Sequence, residues 1–161
     1  VQRINRIFFD LLKKDSRIII ITSELAILDP LPFNGIYSIT KSFLEKYAFS
    51  LRMEENNFGI KVVTIRPGAV KTNMIGASTS SMDDFVKNTK VQKNASTKFK
   101  KIVDSVESKA IEPSKLAKLV GKIVNKKKPK YSYSINNNFA LKLLNFLPDR
   151  LQVKIISHII K

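Results

Sequence analysis

The chain has 161 residues, no cysteine, a single histidine and a formal net charge of +16. That length suits one domain with a sizeable core. The missing thiols and lone His158 exclude disulfides, thiolate zinc sites and histidine-cluster metal centres, and fit a reducing cytoplasmic setting.

Taken in order, Val1 to Lys14 carries Ile4, Ile7, Phe8, Leu11 and Leu12 at helical spacing, which predicts an amphipathic helix laid on a sheet. Asp15 and Ser16 interrupt it. Ile18 to Ile21 is short, β-branched and apolar throughout, the pattern of a parallel strand covered on both faces. Thr22 and Ser23 then fall at its carboxyl end, where open α/β sheets place their ligands. Two prolines and a glycine between Asp29 and Gly35 make a turn, and a helix is predicted from Ile36 to about Asn57. On it Tyr37 and Lys41 stand four apart and share a face. An ammonium beside a phenol favours the phenolate, so such a tyrosine can shuttle a proton while a hydroxyl such as that of Ser23 holds a substrate oxygen. Taken alone, such a pair is most often a chance occurrence on a helix surface. The second stripe of this helix, Phe43, Leu44, Tyr47, Ala48 and Leu51, is expected to face the core, and Gly59 to end it.

Lys61 to Arg66 reads as the next strand, and Pro67-Gly68 ends it at the same sheet edge as Ser23. From Val70 to about Ser108 the chain is rich in serine and threonine, which predicts a mobile segment with short helices. Pro113 to Asn125 is a helix whose core face is Leu116, Leu119, Val120 and Ile123, with Glu112 or Ser114 as its cap. Lys126 to Lys130 is a solvated basic turn, and Tyr131 to Ile135 alternates like a last strand. Two helices are predicted at Phe139 to Leu147 and Leu151 to Ile160, both well short of the roughly 20 apolar residues that span a bilayer. Packing over a pocket, dimer contact and a membrane interface are all open to them.

Ser23, Tyr37-Ser38-Ile39-Thr40-Lys41 and Arg66-Pro67-Gly68-Ala69-Val70-Lys71-Thr72-Asn73 occur in an order and spacing that resemble the carboxyl-terminal half of the short-chain dehydrogenase/reductase family, classical type. The resemblance runs from Val1 to about Lys130 and more loosely beyond. It implies α/β architecture: the carboxyl-terminal half of a Rossmann-like, doubly wound parallel sheet over residues 1–135, a substrate lid at 70–110, and a helical extension at 136–161. It also implies NAD or NADP as cofactor and hydride transfer between the nicotinamide and a ketone or secondary alcohol. Tyr37 resembles the acid/base, in contact with both substrate and cofactor, and Lys41 its partner, which also binds the nicotinamide ribose; Ser23 resembles the group that touches and orients the substrate oxygen. Pro67 and Gly68 match the turn beneath the nicotinamide, and Val70 and Thr72 match positions that bind the carboxamide. Ser23 lies fourteen positions before Tyr37, about one more than is usual in the family, which implies a small insertion between Leu25 and Phe33.

Leu25, Leu28, Leu31 and Phe33 are candidates to line an apolar pocket or to be covered by the carboxyl-terminal segment, and Met74, Ile75, Met82 and Phe85 are candidates to touch substrate. The five glycines form no phosphate-binding turn, so the chain is expected to be a fragment that binds cofactor poorly by itself and has no turnover. The family's dimer helices correspond to Ile36 to Asn57, which implies a homo-oligomer. The substrate expected is a small alcohol or ketone, with a lipid-like or steroid-like shape as the leading candidate, and the location cytoplasmic with peripheral membrane contact admitted. The alternative is a noncatalytic remnant whose basic surface binds anionic lipid or nucleic acid. Nucleic acid is the lesser partner, because the charge is mostly scattered lysine and aromatics do not alternate with it.

Overall fold

The computed structural model describes residues 1–161. Three strands, β1 (Arg17–Ile21), β2 (Lys61–Pro67) and β3 (Ser132–Ile135), form one sheet in the order β1-β2-β3. Both pairings are parallel, with Arg17 opposite Lys61, Ile21 opposite Ile65, Thr64 opposite Ser132 and Pro67 opposite Ile135. Parallel neighbours require long crossovers, usually through a helix. The first crossover carries α2 (Gly35–Asn56), and the second carries α3 (Asn73–Asn88), α4 (Lys93–Glu107) and α5 (Pro113–Val124).

Two apolar clusters lie on opposite faces of the sheet. Ile18, Ile20 and Val62 meet Ala48 and Leu51 of α2, whereas Val63 and Ile65 meet Ile123 of α5 together with Leu116, Leu119 and Val120. Helices on both faces of a parallel sheet make this the Rossmann-like, doubly wound α/β arrangement. The central strand β2 is covered on both sides, with Val62 to Ile65 no more than 1% exposed. β1 departs from the expectation of full cover. Only Ile18 and Ile20 are buried, Ile19 is half-buried and Ile21 is exposed. It is an edge strand, bonded to β2 alone, and α5 reaches over it only as far as Ile19.

The amino-terminal helix α1 (Gln2–Phe8) is shorter than predicted and runs into a 3-10 turn at Phe9–Leu11. Its inward face also differs: Ile4, Ile7, Phe8 and Leu11 are exposed, while Phe9 and Leu12 pack on the core. Asn5 donates to the Tyr47 hydroxyl at 3.1 Å, and the Phe9 and Phe58 rings meet edge-on at 5.9 Å. Both stripes have helical spacing, so contacts with α2 and its end select the Asn5, Phe9, Leu12 side.

α2 runs for 22 residues and ends just before Gly59, whose φ of +71° suits a residue without Cβ. Leu44, Tyr47, Ala48 and Leu51 face the core as expected, but Phe43 is exposed. Residues 70–108 are not a set of short helices. α3 and α4 have 16 and 15 residues, joined by the Phe33, Phe85 and Phe99 rings and by Lys100 between Asp83 and Asp104. The many serines and threonines make the segment polar, yet the two phenylalanines that fix these helices remain. Pro113 opens α5, and Glu112 at its cap makes no capping bond, pairing instead with Lys71 at 2.6 Å. Two further helices, α6 (Phe139–Leu144) and α7 (Asp149–Ile160), follow β3. No helix is long and apolar enough to cross a membrane.

Candidate active site at the strand ends

β1 releases the chain at Thr22 and Ser23, both buried. Ser23 is extended and caps a 3-10 turn at Glu24–Ile27, its Oγ accepting the Leu25 N–H at 3.2 Å. That bond fixes the oxygen and leaves the hydroxyl proton free to donate. The turn is held against α2 by Ser42 Oγ, which donates to the Ala26 carbonyl at 2.8 Å. On the first turns of α2, Tyr37 and Lys41 are half-buried, and the Lys41 Nζ lies 5.5 Å from the centre of the Tyr37 ring. The ammonium thus stands over the ring, an attractive arrangement. No hydrogen bond joins Ser23, Tyr37 and Lys41 to one another, and the latter two have no polar side-chain partner within the chain.

β2 delivers the second strand end. Gly68 N–H donates to Ile135 O at 2.9 Å, and a Cβ placed at Gly68 would lie 2.0 Å from the Asn136 carbonyl oxygen and 2.9 Å from Glu24 Oε1. Close backbone approach is what requires glycine here. Asn136 has a left-handed φ of 57°, and its Nδ2 donates to Ala69 O at 2.9 Å and to Lys109 O at 3.2 Å. It clasps the ends of β2, β3 and α4 together. Val70 and Ile111 form an isolated parallel bridge through Lys71 N–H and Ala69 O. A parallel bridge of this kind leaves the N–H and C=O of Val70 itself outside the ladder, free for a ligand. Thr72 is the exposed first cap of α3.

Two carboxylates outside the family motifs sit at the centre of this edge. Glu45 accepts two bonds from Arg66, Nε at 2.9 Å and Nη2 at 2.8 Å, and one from the Thr22 hydroxyl at 2.6 Å. It ties α2 to the ends of β1 and β2 at once. Burial pushes its carboxyl up, but the Arg66 and Thr22 hydrogen bonds and the Arg66 charge outweigh that, and the net shift is downward. Its one sequence signal is spacing: Glu45 follows Tyr37 and Lys41 at successive intervals of four. Glu24 is buried directly after Ser23, and its Oε2 accepts the Asn138 N–H at 2.6 Å. Burial raises its carboxyl above the ordinary value, against the lowering effects of the Asn138 bond and the Lys142 charge. No local pattern marks Glu24, because its partners lie over a hundred residues away.

Of the predicted substrate contacts, Leu25 lines a cavity of about 400 Å³ between the loop 25–32 and helices α6 and α7, with Leu28, Leu31, Leu144 and Ile156. Phe33 turns away to stack on Phe85 and Phe99 at 5.4 and 5.6 Å. Met74 is exposed on α3 and does not reach this cavity. Neither Ser23 nor Tyr37 lines it. The free Val70 peptide and the unpaired Lys41 ammonium are the polar groups here that could hold part of a cofactor; a pyrophosphate finds no glycine-rich cradle, since Gly35, Gly59, Gly68, Gly76 and Gly121 stand far apart in the chain.

The family model described as short chain dehydrogenase matches residues 3–83. The chain is similar to estradiol 17-beta-dehydrogenase 2 of Mus musculus, 34% identical over 74 residues that cover 46% of this chain and 19% of that protein. It is similar to 3-ketodihydrosphingosine reductase of Bacteroides thetaiotaomicron, 26% identical over 129 residues that cover 75% of this chain and 45% of that protein. The fold is shared with a short-chain dehydrogenase from Streptomyces avermitilis, with a TM-score of 0.61 at 20% identity over 97% of this chain and 55% of that one. These matches thus span less than half the length of each curated relative.

Proposed function

The chain belongs to the short chain dehydrogenase family, and from that premise we propose that it carries the proton-transfer side of an NAD(P)-dependent oxidoreductase interconverting a secondary alcohol and a ketone. In this reading the Ser23 hydroxyl, its oxygen held by Leu25 N–H, donates to the substrate oxygen. Tyr37 gives its proton to that oxygen as a ketone is reduced and takes it back in the reverse direction. Lys41, its ammonium 5.5 Å from the centre of the ring, binds the nicotinamide ribose. When bound, the cofactor supplies or accepts the hydride at the carbonyl carbon. Pro67 and Gly68 form the floor beneath the nicotinamide, and the free peptide of Val70, with Thr72, receives its carboxamide. The substrate lid comprises residues 70–110 with Met74 on it, and residues 136–161 are a helical extension to the body at 1–135.

The observation that carries the reading is a phenol and an ammonium, adjacent and without protein hydrogen-bond partners, on the helix that packs against the turn capped by Ser23, whose hydroxyl keeps a free proton. A lipid-like substrate is supported by the leucine-lined cavity bordered by Leu25, and by relatives named for estradiol and 3-ketodihydrosphingosine. A homodimer through α2 is supported by the exposure of Ile36, Ile39, Phe43, Phe49 and Met53. Residues 1–161 alone bind the nicotinamide cofactor weakly and turn over nothing, for want of a phosphate cradle; tight NAD(P)H binding in calorimetry overturns this.

The test of the mechanism is Tyr37→Phe in the full-length protein, assayed by NAD(P)H oxidation over a ketone panel. Loss of the acid/base lowers kcat about 10²–10⁴-fold. An unchanged kcat on a responsive ketone defeats the assignment.

A further inference from the structure

Beyond α2, a further exposed apolar surface lies on the last two helices. Phe139, Leu143 and Phe146 are 77%, 58% and 86% exposed and follow one another at intervals of four and three, on one stripe of α6 and the turn after it. Phe146 stands in the turn between α6 and α7. That turn is braced: Asn145 Oδ1 accepts the Asp29 N–H at 3.0 Å, and Gln152 Nε2 donates to Leu147 O at 2.9 Å and to Asp29 Oδ2 at 3.0 Å. The ring is therefore held outward on a fixed support. Leu141, Leu144, Ile156 and Ile160 already line the cavity against the loop 25–32, so the outer apolar stripe is surplus to the needs of packing.

Charge on the same pair is one-sided. Residues 136–161 contain Lys142, Arg150, Lys154 and Lys161 against Asp149 as the sole acid, and Arg150 and Lys154 are exposed four apart on α7. We propose that the α6–α7 pair docks on the surface of an anionic lipid bilayer, with Leu143 and Phe146 entering the acyl boundary and Arg150, Lys154 and Lys161 meeting lipid phosphates. Bulky apolar groups at a rigid turn beside basic side chains are what a headgroup layer accommodates. A nucleic acid takes the charge but offers nothing to bury Leu143 and Phe146. Helices too short to span confine the pair to the interface. This inference stands apart from the oxidoreductase reading and fails or holds without it.

The test sediments the full-length protein with vesicles of phosphatidylcholine, alone or equimolar with phosphatidylserine. Binding is expected to the mixed vesicles only and to weaken with salt. Phe146→Ser reduces partitioning about tenfold, and Arg150→Gln, Lys154→Gln and Lys161→Gln together reduce it about a hundredfold, at roughly fivefold per charge. Val91→Ser, 92% exposed between α3 and α4, leaves it unchanged. Absence of binding overturns the proposal, as does undiminished binding by Phe146→Ser, which indicates adsorption through net charge alone. Duplex DNA bound in place of vesicles, with the same dependence on Arg150 and Lys154, reassigns the surface to nucleic acid.

Discussion

Gly68→Ala tests whether the two strand ends meet as described. The added Cβ would stand 2.0 Å from the Asn136 carbonyl oxygen, where ordinary contact begins at 3.4 Å, so one backbone segment must move by about 1.4 Å. Neither is free to do so. Gly68 N–H is bonded to Ile135 O, and Asn136 is fixed in a left-handed conformation by its bonds to Ala69 O and Lys109 O. Overpacking of this kind costs roughly 1–3 kcal/mol, and the displacement breaks one or two hydrogen bonds at about 1 kcal/mol each. A total near 4 kcal/mol corresponds to a fall in Tm of about 10 °C for a chain of this size. Gly121→Ala is the internal control. It lies inside α5 with nothing within 4 Å of its added Cβ, so alanine there stabilises by about 0.5–1 kcal/mol. Thermal and urea unfolding followed by circular dichroism measure both. A Gly68→Ala protein within a degree or two of wild type, or two alanines of like effect, refutes the close approach.

Glu45→Gln leaves Arg66 without its charge partner and destabilises by about 2–3 kcal/mol, read as a lower urea midpoint. Because the folded carboxyl lies below the ordinary value of 4.5, the stability that Glu45 contributes is complete above 4.5 and is lost as pH falls through the lower folded value. The variant should lack that acid-side loss, and an unaltered acid limb counts against the network. Glu24 has the opposite sign. Its folded carboxyl is raised, so stability is fullest below 4.5 and declines as pH rises through the raised value. Glu24→Gln keeps an acceptor for the Asn138 N–H and should erase that decline, leaving a protein at least as stable as wild type at neutral pH. A variant clearly less stable there shows instead that the charge is needed beside Lys142.

Much of the architecture was legible in the chain itself. The isoleucine run, KVVTIR and YSYSI are strands, and α2 and α5 start and stop within a residue or two of where their patterns place them. In each, local periodicity and terminal residues agree. The family motifs were equally legible, because they are contiguous and occur in order. Residues 70–108 were not: their many polar residues hide Phe85 and Phe99, whose partner Phe33 lies some fifty residues or more away. Ser23, Tyr37 and Lys41 could be named from the order of the motifs alone, while Glu24 and Glu45 could not.

By itself the sequence determined the period of each segment, and with it the kind and order of elements and the family. Tertiary structure alone decided which of two equally spaced stripes on α1 turns inward, which strand has an open face, and where the buried carboxylates sit. Those outcomes rest on Asn5 with Tyr47, Glu45 with Arg66, Glu24 with Asn138 and Gly68 against Asn136. Each joins residues between twenty and over a hundred positions apart, and no local pattern encodes a contact whose partner the folded sheet first brings into reach.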